Sequence, residues 1–260
     1  MTLVMGVLNV TPDSFSDGGR WFDPAGAVAH GLEMIAAGAD VIDVGGESTR
    51  PGAEAVDAAE ERQRVVPVIE ALAAHCRVSV DTRKASVAEA AVGAGATLIN
   101  DVSASLWPVA AAAGVGWVAM HMRGDPRTMQ RHAEYSDVVG EVGRFLVEKA
   151  AEGRHGGVGE VWIDPGIGFA KTGEHNLQLL RRLDELVATG WPVLVGTSRK
   201  TFLGPLASPA GGAPAPVHDR LEGSLASMVW AALHGVGMVR VHDVAPTVAA
   251  IRIIEAPVTA

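Results

Sequence analysis

Eight times along the chain a short, nearly uninterrupted apolar run gives way to a stretch with helical periodicity. The runs are LVMGVLNV (3–10), DVIDVGG (40–46), RVSVD (77–81), TLIND (97–101), GWVAMH (116–121), EVWIDP (160–165), PVLVG (192–196) and GMVRVHD (237–243). Strands that alternate apolar and polar residues keep one face in water; these do not alternate, as expected of parallel strands covered on both faces. Eight strand–helix units fit a closed (β/α)8 TIM barrel better than an open doubly wound sheet.

The intervening segments carry helix signals. Asp23-Pro24 supplies a cap and a first-turn proline ahead of an inward stripe Val28, Leu32, Ile35. Asp57 with Glu60 resembles a capping box before Val65, Ile69 and Leu72, with Pro67 expected to kink that helix. Further stripes are Val138, Val142, Phe145, Leu146; Leu177, Leu180, Val187; Leu221, Leu225, Met228, Val229; and Val244, Val248, Ile251. The helix after the fourth strand is short and alanine-rich, 109–113. Gly38, Gly95, Gly114 and Gly190 stand just before strands, where a helix must end and the chain turn back. The low-complexity piece SPAGGAPAP (208–216) sits inside the seventh connection, and no linker divides the chain, so residues 1–260 are expected to form one domain.

Composition narrows the function classes. With 48% hydrophobic and 20% charged residues the chain is globular rather than disordered. A net charge of −9 disfavours nucleic acid or an anionic membrane as a general partner, while leaving room for a small anion held by a few local cations. No apolar run reaches the roughly 18 residues of a membrane span, and no basic-then-apolar leader precedes the first strand. The lone Cys76 has no internal disulfide partner, consistent with the cytoplasm.

In such barrels the catalytic groups come from the carboxyl ends of the strands. Polar residues stand there in this chain: Asn9, Asp43 with Glu47, Asp81, Asn100 with Asp101, His121, Asp164, Ser198-Arg199-Lys200, and Arg240 with His242 and Asp243. Helix capping accounts for some such residues; Asp101 reads as structural and Asp43 as buried beside a local partner. A structural origin for the whole set would require several buried carboxylates, each costly without a partner. Asp81, Asn100 and Asp164 offer mainly acceptors and suit a flat heterocycle with N–H donors on its edge, through the bidentate bond familiar from Arg–carboxylate pairs. Arg50, Arg240 and His242 form a cationic group suited to phosphates. Lys200 lies where a strand runs into a short helix, whose start offers N–H groups to an anion.

The first strand ends in NVTPDSFSDGG (9–19), a polar, glycine-ended loop with one large aromatic, Phe15. Asn9 is a neutral oxygen ligand at a strand end. It suits a magnesium ion that keeps most of its waters, or equally a side-chain amide that stabilises its own turn. The other histidines are scattered, without a zinc cluster, and no phosphate loop, dinucleotide fingerprint or nucleophile elbow is present.

Taken together, MGVLNVTPDSFSDGG (5–19), VGGESTRPGA (44–53), SVDTRK (79–84), INDVS (99–103), MHMRGDPRTMQ (120–130), DPGIGFAKTGEHN (164–176), GTSRKTFLG (196–204) and RVHDV (240–244) resemble dihydropteroate synthase, in order and over essentially the whole chain. The resemblance implies a (β/α)8 barrel, usually a homodimer, that joins 7,8-dihydropterin-6-ylmethyl diphosphate to 4-aminobenzoate with Mg2+ and releases pyrophosphate. It implies that Asp164 holds the pterin 2-amino and N3 edge, that Asn100 and Asp81 bind other ring nitrogens, and that Lys200 reaches the carbonyl and N5 side. Val102, Met120 and Phe169 would line the pterin pocket. Asn9 would ligate the metal, and Arg240, His242 and Thr49 would bind the diphosphate. Pro12, Phe15, Arg50, Pro51, Phe169, Lys200 and Thr201 would surround the aminobenzoate, with Asp17 in the closing first loop. The family mechanism, in which pyrophosphate leaves ahead of attack by the aniline nitrogen, needs no protein nucleophile.

After Ser103 the chain departs from the family pattern. A glycine pair and a longer acidic segment are usual there, whereas this chain reads Ala104-Ser105-Leu106-Trp107-Pro108 and reaches the next strand early. Thr201 after the lysine is a milder variation. The chain also opens almost on its first strand, so little is expected to plug the barrel base. Two other readings fit part of the pattern. A methyltetrahydrofolate-binding methyltransferase barrel would share the Asp/Asn/Asp set but lack the TSRK and RVHD groups. A non-catalytic pterin-binding paralogue would be consistent with the short fourth connection, though not with Asn9, Arg50, Lys200, Arg240 and His242 together.

Overall fold

The computed structural model describes residues 1–11, 23–47, 56–125, 128–208 and 211–257. Its strands are β1 Leu3–Asn9, β2 Val41–Gly45, β3 Arg77–Asp81, β4 Leu98–Asp101, β5 Gly116–Met120, β6 Val161–Asp164, β7 Leu194–Val195 and β8 Met238–Val241. All pairings are parallel in the order β6-β5-β4-β3-β2-β1-β8-β7. An isolated bridge between Ile163 and Val193 joins the two ends. The result is the expected (β/α)8 barrel, with β7 cut to two residues of the five-residue run.

The helices are α1 Pro24–Ala36, α2 Ala58–Leu72, α3 Ala85–Gly93, α4 Trp107–Ala113, α5 Val138–His155, α6 Gly173–Arg181, α7 Leu183–Val187, α8 Leu203–Leu206, α9 Leu221–Leu233 and α10 Val244–Ile254. Asp23 caps α1 through the Ala25 N–H. Asp57 caps α2 through Ala59 and Glu60, but the Glu60 carboxylate turns to Arg64, so only half of the expected box forms. That helix runs on through Pro67. The four glycines before strands take φ of 100°, 110°, 67° and 82°, the left-handed turn their positions require.

The α1 stripe holds at Val28 and Ile35, which pack against the core, and fails at Leu32. Ala27, Gly31 and Met34 face inward while Leu32 is 38% exposed. A Cβ on Gly31 would lie 2.6 Å from Leu72 Cδ1, so α1 and α2 meet over a glycine. Close helix approach decides the face here over the larger side chains.

Two apolar regions result. The larger lies between the outer faces of the strands and the helices and includes Leu8, Ile42, Ile99, Trp117 and Ile163. The smaller fills the barrel interior with Met5, Val41, Leu98, Val118, Trp162, Leu194 and Met238. Below it, Arg77 and Glu160 form a bidentate pair with contacts of 3.0 and 2.6 Å, packed where a Cβ on Gly116 would intrude. The base therefore has a plug of its own. Among the described residues no helix is long and apolar enough to cross a membrane.

Candidate active site

Strand side chains alternate between faces, so the interior layer fixes what lies above it. Two residues beyond Val41, Leu98, Val118, Trp162 and Met238 come Asp43, Asn100, Met120, Asp164 and Arg240. Asp81 joins them two residues beyond the buried Ser79, and β3 holds Asp81 level with Gly45 and Asn100. Asn9 stands level with Gly45 at the end of β1. The predicted acceptor set is thus gathered at one mouth of the barrel by parity alone.

Arg240 crosses this mouth. Its Nε donates to Asp43 Oδ2 at 2.6 Å and one terminal nitrogen donates to Asp81 Oδ2 at 2.7 Å. Asn100 Nδ2 also donates to Asp43 Oδ2, at 2.9 Å. The acidic and cationic groups read from the sequence are thus joined through Arg240, because buried Asp43 and Asp81 need a cation within reach. Asp43 has distant partners rather than the local one expected, and its Oδ1 is buried without a hydrogen-bond partner. Burial raises the Asp81 pKa to about 7 despite the Arg240 charge. Burial likewise pushes Asp164 up, against Lys200 and the Gly166 N–H, whose bond to Asp164 Oδ1 is 2.7 Å.

Lys200 faces this set. Its ammonium donates to the Ile167 carbonyl and lies 4.8 Å from the centre of the Phe169 ring. Burial lowers its pKa to about 8. Met120 and Val102 are buried nearby in sequence to the strand ends, and Thr201 is exposed. His242 bonds Ser198 through both its backbone N–H and Nδ1, each at 3.1 Å. The helix start read as an anion site is largely occupied by the protein's own acceptors. The four-residue α8 is too short, and the N–H groups of Arg199, Lys200, Leu203 and Gly204 are taken by Ser224 Oγ and the carbonyls of Thr197, Lys200 and Thr201. Pro12, Phe15, Asp17, Thr49, Arg50 and Pro51 lie outside the described residues.

Residues of the opposite parity point away from the mouth. Asp101 caps its own loop, as its structural reading expects. It accepts from the N–H groups of Ser103, Ser105 and Leu106, the Ser103 hydroxyl and Trp117 Nε1. His121 is turned outward beside Phe145, at 5.0 Å between ring centres. In the fourth connection, Ala104 takes the left-handed φ of 50°. Glu47 forms ion pairs with Arg83, at 3.1 Å, and Lys84, and Lys84 also reaches the buried Glu61.

The sequence reading missed Lys171 and Asn176, both almost wholly buried beside the loop after β6. Their polarity inside a helix-capping, strand-end motif was the available signal.

A parallel barrel with buried carboxylates, an asparagine and a lysine gathered at its mouth sets the class. The family of pterin binding enzymes matches residues 5–242, and this chain belongs to it. Within that family it falls among the dihydropteroate synthases. The dihydropteroate synthase of Mycobacterium leprae is 50% identical over 97% of this chain and 92% of its own length. That of Escherichia coli K12 is 46% identical over 99% and 92%. Among solved structures, Xanthomonas albilineans dihydropteroate synthase with 4-aminobenzoic acid superposes with a TM-score of 0.89 at 46% identity, covering 98% of this chain and 92% of that one. The same organism's enzyme with 7,8-dihydropteroate gives 0.85 at 43% identity, covering 98% and 93%.

Proposed function

We propose that this enzyme condenses 7,8-dihydropterin-6-ylmethyl diphosphate with 4-aminobenzoate to give 7,8-dihydropteroate and pyrophosphate. The observation that carries this reading is the inward convergence of Asp81, Asn100 and Asp164 opposite Lys200. Asp164 takes the pterin 2-amino and N3 hydrogens, Asn100 and Asp81 other ring nitrogens, and Lys200 the carbonyl side. Met120, Val102 and Phe169 line the ring. Burial without full pairing leaves these carboxylates as acceptors for a ligand's N–H groups. Arg240 is close enough in sequence to His242 to serve both the pterin set and, with His242, the diphosphate. Phe169 and Thr201 border the aminobenzoate.

In this mechanism the bond from the methylene carbon to the diphosphate oxygen breaks first, and its electron pair leaves with pyrophosphate. The anionic pocket tolerates the pterin-methyl cation that remains. The aniline nitrogen then forms the new C–N bond and releases a proton. No protein nucleophile takes part. Among the described residues no three His, Cys, Asp or Glu side chains converge on a metal position. Asn9 offers one neutral oxygen, which fits Mg2+ arriving with the diphosphate and keeping its waters. When bound, such an ion offsets charge developing on the leaving group.

A homodimer is part of this reading, and exposed Trp230 and Leu233, close together on α9, offer apolar surface to a partner. A cytoplasmic location is supported by the free Cys76.

The test is turnover. Purified protein with pterin diphosphate, 4-aminobenzoate and Mg2+ is expected to yield dihydropteroate; pterin binding without product would leave a binding protein. Lys200→Ala is expected to lower kcat/KM by about 100- to 1,000-fold with the fold intact. Turnover like that of the unsubstituted enzyme would remove Lys200 from its role.

A further inference from the structure

The loop after β6 is held by side chains at four of its polar backbone atoms. Lys200 donates to the Ile167 carbonyl, Gln130 Nε2 to that of Gly168 at 3.2 Å, and Lys171 Nζ to that of Phe169 at 3.0 Å. The Gly168 N–H donates to Asn176 Oδ1 at 2.8 Å. The loop needs such support. Gly166, Gly168 and Ala170 take φ of 64°, 86° and 49°, so left-handed residues alternate along it, and one of them carries a Cβ.

Lys171 is the unusual member of this set. Only 3% of it is exposed, and among the described residues no carboxylate lies within ion-pair distance of its ammonium. Burial lowers its pKa to about 7, with the Asp164 charge opposing the shift, so holding the ammonium here is costly, and a methionine would fill similar space without that cost. What the ammonium gains is three acceptors on two elements. They are His121 Nδ1 at 3.0 Å and the His121 carbonyl at 3.4 Å, at the end of β5, and the Phe169 carbonyl beyond β6. Burial lowers the His121 pKa to about 3, so its ring is neutral; facing an ammonium, which only donates, Nδ1 accepts. A Cβ on Gly166 would lie 3.5 Å from Lys171 Nζ and 2.0 Å from the His121 carbonyl oxygen, so the turn after Asp164 is seated directly on this junction.

We propose that Lys171 is a positioning residue for the synthase reaction: by tying the His121 and Phe169 carbonyls together, it fixes the Phe169 ring against Lys200. This rests on the reading that Phe169 and Lys200 border the aminobenzoate. Lys171 touches neither reactant; it acts through Phe169, and its removal frees a loop whose backbone is otherwise disfavoured.

A double-mutant cycle tests this. Lys171→Met is expected to lower kcat/KM for 4-aminobenzoate about 30-fold, while pterin diphosphate affinity measured without aminobenzoate changes at most about threefold. Phe169→Ala alone is expected to give a similar loss. The double variant should then fall no more than about threefold below Phe169→Ala. Lys171→Arg, which still donates to both carbonyls, should recover most of the rate. If Phe169→Ala is silent, the placement of Phe169 at the aminobenzoate fails and the proposal falls with it. If Phe169→Ala impairs turnover but the two losses multiply, or Lys171→Met keeps full activity, the placement survives and the positioning role is overturned. Circular dichroism checks folding; should Lys171→Met not fold, Lys171→Gln runs the same cycle, with the same outcomes deciding it.

Discussion

Asp101 and Asp164 are both buried carboxylates at the ends of barrel strands, β4 and β6, and they are finished differently. Asp101 faces the helices and receives bonds from three backbone N–H groups, a hydroxyl and an indole. Asp164 faces the mouth, and its bond from within the protein comes from the Gly166 N–H. The first carboxylate is saturated by its own loop, so it stabilises the fold and has little left to offer a ligand. The second is held in place but keeps acceptor capacity. The same contrast separates Glu47, enclosed by Arg83 and Lys84, from Asp43, whose Oδ1 is buried and unpaired.

Swapping the two aspartates for asparagine puts that contrast at risk, and this is the largest effect expected. Asp164→Asn should lower kcat/KM by about 100- to 1,000-fold, because its amide presents a donor to the pterin's donors. Its melting temperature should hold or rise slightly, since an under-paired buried charge is removed. Asp101→Asn should do the reverse. Losing the anion that gathers five donors costs about 3 kcal/mol, or roughly 8 °C in Tm, while the folded fraction turns over within about threefold of the unsubstituted enzyme. Thermal melts with steady-state assays on both variants decide it; a stability loss for Asp164→Asn matching that of Asp101→Asn would erase the distinction.

The titration of Asp81 sharpens the comparison. Its pKa is raised to about 7, chiefly by burial, so the folded protein without ligand holds this proton more tightly than the unfolded chain does. Its contribution to stability is therefore full below the unfolded value of 3.8 and is lost as pH rises towards about 7. Ligand binding runs the other way, because a pterin N–H needs the ionised acceptor. Pterin diphosphate affinity, followed by calorimetry from about pH 5.5 to 8, should weaken about tenfold per unit below pH 7. Asp81→Asn should flatten that limb; an unchanged limb would assign the proton elsewhere.

The smallest effect belongs to the loop that Asp101 organises. Ala104 sits at φ 50°, a conformation that costs a residue with a Cβ about 1–2 kcal/mol. Glycine relieves this but adds freedom to the unfolded chain, worth about 0.4–1 kcal/mol. Ala104→Gly should thus stabilise by up to about 1 kcal/mol, read from denaturant melts, with activity unchanged. A loss of stability would mean that the Ala104 Cβ packs better than its strain costs.

Much of the site was legible because a parallel barrel exposes its strand ends. Asp81, Asn100, Asp164 and Lys200 could be picked out as residue types unexpected after apolar runs. Which of two adjacent polar residues faces the mouth was harder to read, as with Asn100 and Asp101. Strands buried on both faces lack the alternation that would reveal parity. On α1, Val28 and Ile35 pack inward as read, but Leu32 does not, for a related reason: Gly31 carries no hydrophobic signal, yet it is where α2 comes closest.

The chain by itself determined the eightfold alternation, the turns at its left-handed glycines and the identity of the acceptors at the mouth. These depend on local periodicity and backbone sterics, which a sequence carries in full. Only the tertiary structure decided that Arg240 lies between Asp43 and Asp81, 197 and 159 residues away along the chain. It likewise decided that Lys171 is buried among carbonyls from two strand ends. A charge buried in a low-dielectric interior must find whichever partner the closed barrel brings within hydrogen-bond reach. That partner is set by closure, not by neighbourhood in sequence.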